Sequence, residues 1–62
     1  MKRNTYITRV RSKNRTSWLA YSGSRYVGLV RLDSETSRYE AHRPDGSYFT
    51  GLRSLNMALT YL

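Results

Sequence analysis

The stretch TSWLAYSGSRYVGLV, from Thr16 to Val30, decides the fold because it predicts two antiparallel strands joined by a tight turn. Glycine followed by serine, at Gly23-Ser24, suits the two central positions of a type II′ hairpin turn. A two-residue turn fixes which residues lie opposite each other, and the alternation of side chains then assigns each residue to one face of the sheet. In this register Trp18, the only tryptophan of the chain, lies opposite Leu29.

Three further turn signals divide the first fifty residues into short strands. The polar segment around Lys13-Asn14 predicts an even-length loop over residues 12–15. Residues 33–36 form a second polar loop, and Pro44-Asp45-Gly46 has the composition of a three-residue hairpin loop with a bulge. Past this last loop, Ala41 is predicted opposite Phe49.

The apolar spacing changes after Gly51 from a period of two to about 3.6. Leucines 52, 55, 59 and 62, joined by Ala58, predict one apolar stripe of an amphipathic helix. The predicted fold class is therefore α+β, a small antiparallel β-meander of four to five strands with one C-terminal α-helix packed on one face. We predict that residues 1–62 form a single domain, with a flexible basic arm over 1–4, the β-meander over 5–50 and the helix over 52–62.

The predicted register divides the strands between a core face and an outer face. The core face carries two small residues, Gly28 and Ala41, at its centre, which leaves room for the leucine stripe. The other residues predicted on the core face are Tyr6, Thr8, Val10, Leu19, Tyr21, Tyr26, Val30, Tyr39 and Phe49. Those predicted on the outer face are Ile7, Arg9, Arg11, Thr16, Trp18, Ala20, Arg25, Val27, Leu29, Arg31, Arg38, Glu40, His42 and Tyr48. A turn with three central residues at Gly23 would exchange the two faces of the preceding strand and place Trp18 in the core.

The chain is strongly basic, with eleven Lys and Arg against four Asp and Glu and a net charge of +7. Most of the basic residues are arginines, which bind phosphate through two parallel hydrogen bonds and stack on flat rings. This composition predicts a polyanionic partner, in the first place nucleic acid. The alternative interpretation is a solvated face whose charge serves solubility.

We predict that the outer face binds nucleic acid, DNA in preference to RNA, through arginine contacts to phosphates and aromatic stacking on bases. The candidate binding residues are Arg9, Arg11, Trp18, Arg25, Val27, Arg31, Arg38 and Tyr48, with Lys2 and Arg3 of the arm. Arg9 is expected across from Trp18, within reach of a cation–π contact. Two modes are open: stacking of single-stranded bases, or docking on a duplex groove with Val27 or Leu29 wedged between base steps.

The predicted meander with a C-terminal helix and a basic sheet resembles several DNA-binding domains in architecture. These are the seven-kilodalton archaeal chromatin proteins, the arm-binding domains of phage integrases and the plant ethylene-response-factor domains. The resemblance implies a sheet that contacts DNA, and no segment of this chain matches their motifs. A second hypothesis is a small protein-interaction module, such as a phage-type inhibitor that binds an acidic protein surface of a larger host complex, with Trp18 and the arginines as hot spots.

An enzymatic function is not expected. His42 is the only histidine and the chain has no cysteine, so neither a multi-histidine nor a thiolate metal site is available. We predict no catalytic residue, metal or cofactor. The lack of cysteine fits a cytoplasmic setting, which is the localisation we expect. No apolar run approaches the ~20 residues that span a bilayer and no basic amphipathic helix is visible, so we expect no membrane binding. A chain of this length buries only about 60% of its unfolded surface, which leaves a homodimer as an open alternative.

Overall fold

A computed structural model describes residues 7–62 as one five-stranded antiparallel sheet with a short helix. The elements are β1 (Arg9–Asn14), β2 (Ser17–Ser22), β3 (Arg25–Asp33), β4 (Arg38–His42), β5 (Tyr48–Leu52) and α1 (Leu55–Leu59). The strands lie in the sheet in sequence order, so each is joined to its neighbour by a hairpin. The predicted α+β meander with a C-terminal helix is confirmed, and its strands run to residue 52 instead of 50.

The helix is shorter than the predicted segment 52–62, because Leu52 belongs to β5 and pairs with Tyr39. Ser54 caps the helix, and its hydroxyl accepts a hydrogen bond from the backbone N–H of Met57 at 3.0 Å. The predicted apolar stripe still faces the core, through Leu55, Ala58, Leu59 and Leu62. No helix within residues 7–62 is long and apolar enough to cross a membrane.

The turn at Gly23 has two central residues, as the sequence predicts. Gly23 has a φ of 63°, which suits the first central position of a type II′ turn, and Tyr21 lies opposite Tyr26 as expected. The register shifts directly beyond this pair, because β3 contains one extra residue, Val27, before Gly28 pairs with Ala20. This β-bulge shifts the pairing of the two strands by one residue from Ala20 onward, so that the side chains of β2 lie on the opposite face of the sheet from the predicted one. The turn itself is unaffected.

The bulge corrects the predicted positions of Trp18 and Val27. Trp18 lies opposite Val30 instead of Leu29, and both Trp18 and Val27 pack against the core. Their predicted place on the outer face is therefore wrong. The same reversal moves Ala20 from the predicted outer face into the core, whereas Leu19, Tyr21 and Tyr26 leave the predicted core face.

The first hairpin contains a second irregularity. Asn14 lies opposite Ser17 around a two-residue turn, and the register shifts between Ser12 and Asn14, so the predicted four-residue loop over 12–15 is wrong. The Asn14 Oδ1 atom accepts a hydrogen bond from the backbone N–H of Thr16 at 2.9 Å, which stabilises the tighter turn. This second one-residue shift cancels the effect of the bulge in β3 on the faces of β1. The residues of β1 therefore lie on their predicted faces. Ile7, which precedes β1, packs against the core and not on the predicted outer face.

The last two hairpins preserve the predicted faces. The third loop spans residues 34–37 instead of 33–36, which places Val30 opposite Ala41 and shifts the register by two residues. A shift of two leaves every side chain on the same face. In the fourth hairpin, Ala41 pairs with Phe49 as predicted, and the loop is closed by a 2.9 Å hydrogen bond from Arg43 N to Ser47 O.

The core lies between the sheet and α1. Its buried apolar residues are Ala20, Val30, Ala41, Leu52, Ala58 and Leu62. Gly28 lies at the centre of the sheet, and a β-carbon at this position would lie 2.5 Å from a methyl group of Leu62. Gly28 and Ala41 thus allow the C-terminal segment to approach the sheet closely, as the sequence predicts.

Candidate nucleic-acid interface

The sheet face opposite α1 is covered by no other strand or helix of residues 7–62, and we call it the open face. Strand pairing places on it Arg9, Arg11, Ser17, Leu19, Tyr21, Tyr26, Leu29, Arg31, Asp33, Arg38, Glu40, His42 and Tyr48. The open face therefore combines arginine, tyrosine and leucine side chains with two carboxylates.

One row of the open face crosses all five strands. Arg11 lies opposite Leu19, Leu19 opposite Leu29, Leu29 opposite His42, and His42 opposite Tyr48. Neighbouring strands lie about 4.8 Å apart, so this central row is roughly 19 Å long. It presents an arginine at one edge of the sheet, a tyrosine at the other, and two half-buried leucines between them.

Tyr48 forms the aromatic end of the central row. Its ring is stacked on the imidazole of His42, with 5.6 Å between the ring centroids and 13° between the planes. The imidazole is held in turn by Glu40, whose Oε1 atom lies 3.0 Å from His42 Nε2. Tyr48 is nevertheless 61% exposed, so much of the side chain remains open to solvent.

A second aromatic pair lies next to the turn at Gly23. The rings of Tyr21 and Tyr26 meet edge to face, with centroids 5.9 Å apart, and the Arg9 guanidinium lies 4.7 Å from the Tyr21 centroid. The cation–π partner of Arg9 is therefore Tyr21, and the predicted contact with Trp18 is wrong. Burial raises the pKa of the Tyr26 hydroxyl above its ordinary value of 10.0, and the charge of Tyr21 contributes a smaller increase.

The two carboxylates of the open face are already engaged. Glu40 contacts Arg31 at 3.9 Å in addition to His42, and its side chain is only 18% exposed. Asp33 lies opposite Arg38, and its Oδ1 atom accepts a hydrogen bond from Glu35 N at 3.0 Å. The arginines of β1 have no acidic residue opposite them in the sheet, so the face carries a net positive charge.

Five of the predicted binding residues lie on the open face, namely Arg9, Arg11, Arg31, Arg38 and Tyr48. Trp18 lies on the helix side, where its ring centroid is 5.8 Å from that of Tyr39. Val27 packs against the core, and Arg25 is exposed beside the turn at Gly23. Lys2 and Arg3 lie outside the described residues.

The sequence interpretation missed the contribution of β2 to this surface. Leu19 and Tyr21 of β2, with Tyr26 of β3 opposite Tyr21, are predicted in the core but lie on the open face. A signal for the correct register was present, because an isolated glycine within a strand, here Gly28, often marks a β-bulge. A bulge at Val27 converts the predicted pairs into the observed ones.

Arg43 is a basic residue with a structural role. Its Nε–H donates a 2.7 Å hydrogen bond to the carbonyl oxygen of Tyr61, and its guanidinium lies 4.6 Å from the Phe49 ring centroid. The rings of Phe49 and Tyr61 are themselves 4.9 Å apart. Arg43 therefore fastens the C-terminal segment to the sheet and is not available on the open face.

Comparisons of the chain with protein-family models, curated proteins and solved structures found no match. Within residues 7–62, no group of three His, Asp or Glu side chains is arranged to hold a metal ion. The function is therefore inferred from the composition and geometry of the open face.

Proposed function

We propose that this protein is a non-enzymatic nucleic-acid-binding protein that contacts DNA, in preference to RNA, with its open face. The observation that carries the proposal is the central row, which joins Arg11 to the exposed ring of Tyr48 across the whole sheet. Arginine supplies contacts to phosphates, and aromatic rings supply stacking surfaces for bases. The net charge of +7 adds long-range attraction for a polyanion.

The arginines of β1 are suited to phosphate contacts. Arg9 is held against the Tyr21 ring, so its guanidinium loses less conformational freedom when a phosphate binds. Arg11 is exposed at the edge of the sheet, one row away. Arg31 is 56% exposed in its side chain despite its 3.9 Å contact with Glu40, which leaves donors for a ligand.

The residues proposed to stack on bases are tyrosines, and not the tryptophan that the sequence suggests. Trp18 lies on the helix side and cannot contact a ligand on the open face without rearrangement of the core. Tyr48 and Tyr26 are 61% and 42% exposed and lie on the same face as the arginines. They supply the flat surfaces that sequence-tolerant stacking requires.

The preference for DNA is supported by the hydrogen-bonding groups on the open face. The ribose 2′-hydroxyl distinguishes RNA from DNA and needs a partner when it is covered. Arginine offers donors and no acceptor. Glu40 Oε1 already contacts His42 and Asp33 Oδ1 already accepts from Glu35 N, so the two carboxylates are in part engaged and offer fewer acceptors for the hydrogen of a covered 2′-hydroxyl.

The proposal is tested by comparing two single-charge variants in a salt titration. Arg11→Ser removes a cation from the open face, and Arg53→Ser removes one from the exposed connection between β5 and α1. Fluorescence anisotropy of labelled DNA is measured over a range of KCl concentrations, with an RNA of the same sequence in parallel.

We expect Arg11→Ser to weaken binding and to reduce the log–log salt slope by about 0.7–0.9, the value of one phosphate contact. Arg53→Ser should change the affinity much less. Equal effects of the two substitutions, or no binding at low salt, would contradict the proposal. Tighter binding of the RNA would reverse the proposed preference.

A protein-interaction module is the second candidate function. Leu19 and Leu29 are half-buried at the centre of the open face, and aliphatic groups among arginines and tyrosines are typical of protein interfaces. A partner protein that co-purifies stoichiometrically after nuclease treatment, together with no DNA binding, would favour this function over the first.

A further inference from the structure

We infer that the open face binds single-stranded DNA, with one base stacked on Tyr48 and another on Tyr26, and that it does not enter a duplex groove. The inference rests on the proposed function and specifies its ligand. In a duplex, the faces of the bases are covered by their neighbours, and only their edges are accessible. In a single strand, the base faces are free to stack on aromatic side chains.

Tyr48 has the geometry of a stacking platform. The 13° angle to the His42 ring fixes the orientation of its plane, and the 3.0 Å contact to Glu40 fixes the imidazole beneath it. A ring that is already oriented loses little side-chain entropy when a base stacks on it. Its 61% exposure leaves much of the side chain accessible to a base.

Tyr26 forms a second platform at a distance. It lies two strands from Tyr48 and one row further along the sheet, which corresponds to about 12 Å from the spacings of an antiparallel sheet. One base cannot contact both rings, so each tyrosine would hold a different nucleotide. Arg9 contacts the neighbouring Tyr21 ring and lies close enough to serve the phosphate of the nucleotide on Tyr26.

The wedge residues that a duplex-kinking mode requires are missing from this face. Val27 packs against the core as the bulge residue, and Leu29 is half-buried between Leu19 and His42. Proteins that kink a duplex insert protruding apolar side chains between base steps. Among residues 7–62, the exposed large apolar side chains on the open face are Tyr26 and Tyr48, which present rings instead.

The test compares one DNA sequence as a single strand and as a duplex. A fluorescein-labelled single strand of twelve mixed nucleotides is titrated with the full chain by anisotropy, alone and annealed to its complement. The variants are Tyr48→Leu, which keeps an apolar side chain without a ring, and Tyr48→Phe, which keeps the ring. The same pair of substitutions is made at Tyr26. Circular dichroism and thermal melting establish that each variant is folded.

We expect the single strand to bind about tenfold more tightly than the duplex or better, the factor of at least one stacked base. Tyr48→Leu should weaken single-strand binding about 5- to 150-fold, whereas Tyr48→Phe should stay within about twofold of the original chain. Duplex binding should respond little to either substitution.

Three results overturn the inference in distinguishable ways. Equal or tighter duplex binding, with Tyr48→Leu unchanged and Arg11→Ser weakened, would leave the proposed function standing and remove the single-strand mode. No binding of either form at low salt would remove the proposed function as well. Tyr48→Phe as weak as Tyr48→Leu would show that the hydroxyl, and not stacking, carries the interaction.

Discussion

Leu62 fills the space above Gly28 that a β-carbon would otherwise occupy. A β-carbon on Gly28 would lie 2.5 Å from Leu62 Cδ2 and 2.7 Å from the carbonyl oxygen of His42. The side chain of His42 belongs to the open face, where it supports Tyr48. The C-terminal segment therefore packs on the sheet directly behind the candidate interface.

Gly28→Ala should destabilise the fold. The methyl group requires Leu62 and the backbone of β4 to move apart, and overpacking of this kind costs about 1–3 kcal/mol. Urea unfolding followed by circular dichroism measures the loss. In a Leu62→Val background, where the two δ-methyl groups nearest the new β-carbon are absent, the cost of Gly28→Ala should be smaller. An equal cost in both backgrounds would show that Leu62 is not the residue that Gly28 accommodates.

Trp18→Ala should reduce stability without removing the binding surface. Trp18 packs against the core beside Tyr39, and truncating a large, partly buried aromatic residue costs about 2–4 kcal/mol. A domain of this length has a total stability of roughly 3–9 kcal/mol, so the variant should melt at a much lower temperature. Tyr48→Leu, on the exposed side, serves as the control. Full stability of Trp18→Ala with loss of DNA binding would return Trp18 to the open face.

The alternation of side chains along a strand predicts the wrong face wherever an extra residue enters the strand. The turns at Gly23 and Pro44-Asp45-Gly46 are readable because their backbone geometry demands particular residue types. The bulge at Val27 does not require a particular residue type at that position. This one extra residue nevertheless reverses the predicted faces of the β2 residues that pair beyond it. The sequence therefore predicts the two faces of β2 the wrong way round, although the position of β2 between two turns follows from the sequence.

The candidate site was predictable in part, for the same reason. Arg9 and Arg11 lie on the predicted face because the irregularity near Lys13 cancels the effect of the bulge. Arg31 belongs to a hairpin whose register is shifted by two residues, which leaves the faces unchanged. Tyr48 lies next to its loop, and the register irregularity of this last hairpin comes only beyond Ala41. The position of the aromatic pair Tyr21 and Tyr26 on the open face depends on the register of β2. Residue type alone does not distinguish an exposed Tyr21 from a buried one.

Arg43→Ala should loosen the C-terminal segment. The substitution removes the 2.7 Å hydrogen bond to Tyr61 O and the cation–π contact with Phe49, together worth about 1–2 kcal/mol. Arg43→Lys should restore little of this, because a lysine lacks the planar fork. Hydrogen exchange of amides in residues 58–62 measures the opening, with Arg53→Ala as the matched control. Unchanged exchange in Arg43→Ala would contradict the structural role.

Alkaline pH should destabilise the protein through Tyr26. Its pKa is raised in the folded state, chiefly by burial, so the folded chain holds this proton more tightly than the unfolded chain does. The stability present below about pH 10 is then lost as the pH rises through the folded-state pKa. Urea midpoints measured from neutral to alkaline pH should fall less steeply for Tyr26→Phe. Parallel pH profiles for the two proteins would contradict this assignment.

The central claim, that the open face is the binding surface, is tested most directly by the leucine methyl groups, which report on the two sides of the sheet. Leu19 and Leu29 lie on the open face, whereas Leu52 and Leu62 are buried on the helix side. Methyl spectra of leucine-labelled protein are recorded by NMR during a titration with single-stranded DNA, and the single indole N–H of Trp18 is followed in the same sample. We predict that the methyl signals of Leu19 and Leu29 shift in a saturable manner while those of Leu52, Leu62 and the Trp18 indole stay in place. Shifts confined to the helix-side leucines and Trp18 would contradict the account.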